Sequence, residues 1–179
     1  MRLALAATVC ALVPASAFAV DYLTADQAAK LMFPEAERFD VREITLETSQ
    51  MQQLDARGVR ARSARWSVRV AQGGGVALGF VVVDEVIGKF ELITYAVGIS
   101  LDGAVKQLEV LSYRESHGHE IRLPAWRKQF VGKTSASPIN VGNDIANISG
   151  ATLSCNHVSE GVKRVVAVVE LARKSGALQ

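Results

Sequence analysis

Thr152 is the hydroxyl in this chain best placed for covalent chemistry. It closes the run Ser149-Gly150-Ala151-Thr152, and Ser154 follows two residues on. Ser149-Gly150 is a turn pair. Beyond it Val158, Val162, Val165, Val166 and Val169 recur at the spacing of one helix face. Thr152 therefore belongs at or just before the first turn of a helix, where backbone N–H groups lack intrahelical partners. Such a terminus can seat a phosphate. The same residues also suit a plain N-cap, because a Ser or Thr there commonly satisfies one orphan N–H. Spacing alone leaves both readings open.

A second reactive group lies between Tyr113 and Lys133. Glu115, Ser116, His117, Gly118, His119 and Glu120 follow the end of an apolar strand, where loops carry function on a rigid scaffold. With Cys155-x-His157 they offer metal-ligand types, and zinc or copper is the rival chemistry. A Cys-x-His pair on a helix points its side chains about 200° apart, however, which makes a poor chelate. The expectation is therefore no metal, with Cys155 a small buried hydrophobe. There is no Gly-x-Ser-x-Gly elbow, which speaks against that type of hydrolase.

The elements that must position these residues can be read in order. Thr24 to Gln27 is a capping box, and it predicts a short helix through Met32, stopped at Phe33-Pro34. Phe39 and Val41 alternate in one phase, and Ile44 and Leu46 in the other. This predicts a strand with a bulge or break near Arg42-Glu43. A helix is predicted over Thr48 to Arg57, ending at Gly58. Arg65 and Arg69 alternate with Trp66, Val68 and Val70, as on a half-buried strand. Strands follow at Val76 to Val83, Leu92 to Leu101 and Val105 to Tyr113, the last two around an Asp102-Gly103 turn. Consecutive hairpins with helices at both ends predict an α+β fold, an antiparallel sheet with flanking helices.

The N-terminus sets the address. Arg2, the apolar run Leu3 to Val13, Pro14 and Ala17-Phe18-Ala19 read as a secretory signal peptide over residues 1–19, leaving a single secreted domain over 20–179. The expected location is periplasmic or extracytoplasmic, with no membrane span in the mature chain. The chain holds 20 basic and 18 acidic residues, one of the basic ones being Arg2, so charge offers no argument for a nucleic-acid partner. Cys155 is then the one cysteine left, and one thiol makes no internal disulfide.

The run Asp144 to Arg164, centred on Ser149-Gly150-Ala151-Thr152-Leu153-Ser154, resembles the flavinylation segment of the FMN-binding domain family. That family includes the covalent-FMN subunits of the sodium-translocating quinone reductase and of the Rnf complexes. Asp84-Glu85-Val-Ile-Gly-Lys89, Ile93 to Val97, the Tyr113-x-Glu115-x-x-Gly118 segment, Trp126, Gln129-Phe130 and Gly132-Lys133 resemble its small secreted members. The likeness extends over about residues 80–168. It implies an electron-carrying flavoprotein with FMN joined to Thr152 through a phosphoester. It further implies a separate FAD-dependent, Mg²⁺-requiring transferase as FMN donor and membrane-associated redox partners. Ser149, Gly150, Ala151 and Ser154 would surround the phosphate. The Glu115 to Glu120 loop would wall the ring, Gly118 would allow close approach to it, Trp126 would cover an edge, and Lys133 would meet the phosphate or the ring. One position departs from the family: an acidic residue usually stands three before the motif, and here it is Ala146. That departure keeps open a cofactor-free or metal-binding periplasmic interaction domain.

Overall fold

The computed structural model describes residues 20–178, so the leader expected at 1–19 lies outside the described residues. Strands β1 (Val20–Asp21), β2 (Arg38–Thr45), β3 (Arg65–Gly73), β4 (Val76–Ile87), β5 (Leu92–Ser100) and β6 (Val105–Tyr113) form one antiparallel sheet in the order β1-β6-β5-β4-β3-β2. Five strands are long, and β1 is a two-residue pairing on the end of β6. The helices are α1 (Ala25–Met32), α2 (Thr48–Ala56), a single turn α3 (Pro124–Arg127) and the long α4 (Thr152–Lys174). The α+β architecture expected from the hairpin spacing is the one observed.

The sheet is covered on both faces. α1 places Ala28, Ala29, Met32 and Phe33 against Ala71, Val81, Ala96 and Leu111. Thr24 caps it, accepting from Gln27 N–H at 3.1 Å, while Gln27 Oε1 accepts from Thr24 N–H at 2.8 Å. α4 covers the opposite face, with Val158, Val162, Val165, Val166 and Val169 all buried as the periodicity predicted.

Two-sided coverage also corrects the expected break in β2. The strand pairs with β3 in continuous register from Arg38 to Thr45, without a bulge. Phe39 packs toward the α1 layer, and Ile44 and Leu46 toward the α4 layer. Both phases of the pattern are apolar because each faces a different layer. The register shifts fall instead between Ala71 and Gln72 in β3, and at Thr94/Tyr95 and Gly98/Ile99 where β5 meets β6.

α4 is keyed to the sheet by a polar contact. Tyr95, fully buried, donates from its hydroxyl to Asp84 Oδ2 at 2.7 Å, and Arg164 donates to the same oxygen from Nη2 at 2.5 Å. Burial pushes the Tyr95 phenol well above its ordinary value, so it stays a proton donor. The hydroxyl reaches Asp84 past Gly161, where a Cβ would stand 1.9 Å from the oxygen. Helix and sheet meet there with no room for a side chain.

Gly161→Ala is therefore expected to destabilise the protein despite the better helix propensity of alanine, by about 1–3 kcal/mol as an overpacked core. Thermal unfolding of that variant beside Gly161→Ala/Tyr95→Phe checks it. Removing the hydroxyl should return part of the loss, and strictly additive losses would show that the contact is not the cause.

Candidate functional site

The start of α4, the tip of the β4–β5 hairpin and the loop after β6 converge on one cleft of about 340 Å³. It is lined by Lys89 and Phe90 from the hairpin, by Glu115, Ser116 and His117 from the loop, and by Gly150 to Ser154 from the helix start. Each contributor reaches it because a strand or helix ends there.

Thr152 is the first residue of α4 and its side chain is exposed. The N-cap position belongs to Ala151, which makes no side-chain capping bond, so the plain-cap reading of Thr152 does not hold. The hydrogen-bond ladder begins with Cys155 N–H to Ala151 O at 2.9 Å. The amides of Thr152, Leu153 and Ser154 precede it and keep the positive end of a 23-residue helix available to an anion. Thr152 Oγ1 accepts from Asn147 Nδ2 at 3.1 Å, a partner that sequence reasoning missed. A side-chain amide five residues away on a preceding loop leaves no periodic signal.

The remaining expected residues divide. Gly150 has open space around it, and Ser149 is exposed on the adjoining turn outside the cleft lining. Ser154 lines the cleft, yet its buried Oγ lies 3.3 Å from the Tyr113 hydroxyl, which in turn donates to the carbonyl of His117. Gly118 (φ 83°) does permit a close approach, but of protein to protein. A Cβ there would fall 2.2 Å from Ala151 Cβ and 2.7 Å from the Tyr113 hydroxyl. The Gly-Ala contact presses the loop onto the helix start.

Trp126 and Lys133 stand apart from the cleft lining. Trp126 is core, edge-on to Phe130, and its Nε1 donates to Ala146 O at 2.8 Å. Gln129 Oε1 accepts from Ala146 N–H at 2.7 Å. Together they clamp the segment leading into the motif. Lys133 pairs with Asp144 at 2.7 Å, and Asp144 also accepts from the amides of Ile139 and Asn140. The lysine charge is spent on that loop.

Glu115 lines the cleft, but its carboxylate faces the hairpin. Oε1 accepts from the amides of Phe90 at 2.6 Å and Glu91 at 3.0 Å. Burial raises its pKa, yet the amides of Glu91, Phe90 and Lys89 outweigh burial and hold it below the usual carboxylate value. What it secures is the tip bearing Phe90, whose ring is 74% exposed beside the cleft with Lys89 Nζ 4.8 Å above it. Phe90 was not singled out from sequence, since an exposed Phe in a hairpin turn has no pattern, and Lys89 stood there only as the end of a family-like run.

The metal ligands do not assemble. Among the described residues no group of three or more His, Cys, Asp and Glu is placed to hold a metal ion. Nδ1 of His157 is hydrogen-bonded to the carbonyl of Ile87 at 2.5 Å. Cys155 is fully buried, and burial pushes its thiol pKa up.

Residues 88–167, which hold the hairpin tip, the loop and the start of α4, match the family model of the FMN-binding domain. Over that stretch the chain is similar to an FMN-binding domain. Its fold is similar to that of NqrC from Shewanella oneidensis, at 16% identity over 77% of this chain and 80% of that one, with a TM-score of 0.50. The corresponding Na(+)-translocating NADH-quinone reductase subunit from Parabacteroides distasonis ATCC 8503 is also similar, at 15% identity over 76% of this chain and 82% of that one, with a TM-score of 0.47. No curated protein matches the sequence. The cleft offers helix-start amides and Lys89 to an anion, with Phe90 and Leu153 as apolar rim. Its volume sits at the low end of the ~300–1,000 Å³ usual for small-molecule clefts.

Glu115→Gln is expected to loosen the hairpin tip by about 1 kcal/mol, the difference between charged and neutral hydrogen bonds. Because the folded pKa of Glu115 is depressed, its contribution is full above the unfolded value of about 4.3 and is lost as pH falls through the folded value. The stability gap between the two proteins should be largest at neutral pH and close as pH falls through the folded value. Chemical unfolding across that range checks it, with amide exchange at Phe90 and Glu91 as the local reading.

Proposed function

We propose that this FMN-binding domain carries its FMN covalently, through a phosphoester on Thr152 Oγ1, and serves as an extracytoplasmic electron carrier. The observation that carries the reading is the exposed Thr152 hydroxyl, inside the cleft, at a helix start that no side chain caps. Attachment is a group transfer. The Thr152 oxygen bonds to the FMN phosphorus of FAD, the bond from that phosphorus to the AMP portion breaks, and AMP leaves with the hydroxyl proton. A separate FAD-dependent, Mg²⁺-requiring transferase would do this work.

This chain's own part is placement. Asn147 donates to Oγ1 and orients the hydroxyl. The amides of Thr152 to Ser154 and Lys89 would stabilise the single negative charge that the phosphodiester keeps. Phe90 and Leu153 would shield one side of the ring. When bound, the flavin supplies the redox chemistry, and the protein supplies position and electrostatics. Covalent attachment suits a compartment where a dissociated cofactor is lost, and the leader-like residues 1–19 and membrane-associated redox partners belong to the same reading. Among the described residues no helix is long and apolar enough to cross a membrane.

Ala146 does not weaken the proposal from within the fold. Its side chain is exposed and both its backbone polar groups are taken by Trp126 and Gln129.

Intact mass of the denatured protein, after coexpression with a flavin transferase, should show the addition of one FMN less one water, mapped to the peptide holding Thr152. Thr152→Ala should abolish the addition and leave the thermal transition nearly unchanged, since the side chain is exposed. A covalent flavin retained in that variant would refute the acceptor assignment. An unmodified wild type would favour a cofactor-free interaction domain.

A further inference from the structure

The basic residues of the α2–β3 loop find no place in the flavin cleft. Two further grooves follow α4 away from that cleft and share Arg60, Glu160 and Arg164 in their walls. The nearer one is bordered by Ile87 and His157, neighbours in sequence of the cleft-lining Lys89 and Ser154. The farther one has a volume of about 450 Å³ and adds Asn140 and Lys163.

Charge on this face is unbalanced. Arg164 is matched by Asp84. The side chains of Arg60 and Lys163 make no hydrogen bond or ion pair with another described residue. Arg62 spends part of its guanidinium on the carbonyl of Glu85, at 2.6 Å. Glu160 is the one carboxylate in either wall. Several basic side chains elsewhere are paired with carboxylates: Arg57 with Glu170, Arg127 with Glu109, Lys106 with Glu35. Arg62 sits at φ 61°, a left-handed conformation that costs an ordinary residue about 1 kcal/mol or more. Beside the basic groove lie exposed Ile87 and Phe90. An apolar spot at the cofactor cleft, bordered by uncompensated positive charge, suits a small, transient, electrostatically steered contact.

We propose that this face, from the β4–β5 hairpin tip along α4 to the α2–β3 loop, docks an acidic protein that exchanges electrons with the flavin. The redox part rests on the carrier reading above; the acidic partner rests on the charge and shape of the grooves. Concave grooves receive projecting carboxylate side chains, whereas a lipid headgroup layer is flat and would be met by a convex face.

The test separates the two parts. Unflavinylated protein is titrated with poly-L-glutamate while amide chemical shifts are followed, at low and at physiological salt. Shifts should concentrate on Gly58 to Arg62, Ile87 and His157 to Arg164 and weaken with salt. Arg60→Glu/Lys163→Glu should reduce affinity about tenfold or more, since like charges then face each other. Shifts centred elsewhere, equal affinity in the variant, or binding to phosphatidylglycerol vesicles in place of poly-L-glutamate would overturn the surface assignment. With FMN-loaded protein, electron transfer to the acidic soluble domain of cytochrome b5 should slow about tenfold in the same variant, while basic cytochrome c should not be slowed. Equal rates for wild type and variant with cytochrome b5 would overturn the redox role of the face. Failure to load FMN would count against the carrier reading and leave the titration to decide the surface.

Discussion

The Tyr95 hydroxyl occupies the space that a side chain at residue 161 would need, and the placement of α4 follows from that. A stripe of valines alone would let the helix slide or rotate by a residue at little cost, because apolar contacts are not directional. The Tyr95–Asp84–Arg164 contact permits one register, since any slip leaves buried polar groups without partners. With α4 locked at Gly161, Thr152 lies nine residues toward its N-terminus, and its height at the end of the sheet is set. The cleft inherits its geometry from a contact about 13 Å down the helix axis.

What gathers at that end is a set of mutually braced turns. Glu115 ties the loop after β6 to the hairpin tip, Gly118 presses the same loop onto Ala151, and Tyr113 links it to Ser154. Trp126 and Gln129 hold the backbone of Ala146, and Lys133 with Asp144 folds the segment before it. Most of the polar residues near the motif are occupied in building the site. The Thr152 hydroxyl, the first helix amides, Lys89 and Phe90 face the cleft and are the ones the proposed cofactor would meet.

This division explains which expectations held. The short motif around Thr152 was legible because helix starts follow local rules. The family resemblance points Trp126 and Lys133 toward the cofactor, yet their partners here are loop atoms: the carbonyl of Ala146 for Trp126 and the carboxylate of Asp144 for Lys133. At Gly118 the close approach is made by Ala151 and the Tyr113 hydroxyl, neighbours that local sequence does not reveal. In β2, one strand facing two covered layers imitates a bulge in a pattern of apolar residues.

The sequence by itself determined the strand and helix periods, the hairpin turns, the capping box at Thr24 and the position of Thr152 at a helix start, because these depend on contacts within a few residues. It also carried the FMN-binding domain motif. Tertiary structure alone decided that Ala151 and not Thr152 is the N-cap, that Asn147 reaches the threonine hydroxyl, that Glu115 serves the hairpin, and that Arg60 and Lys163 stand uncompensated in the grooves along α4. Each of these is a choice among partners distant along the chain, made by which surfaces the sheet and α4 bring within hydrogen-bond reach.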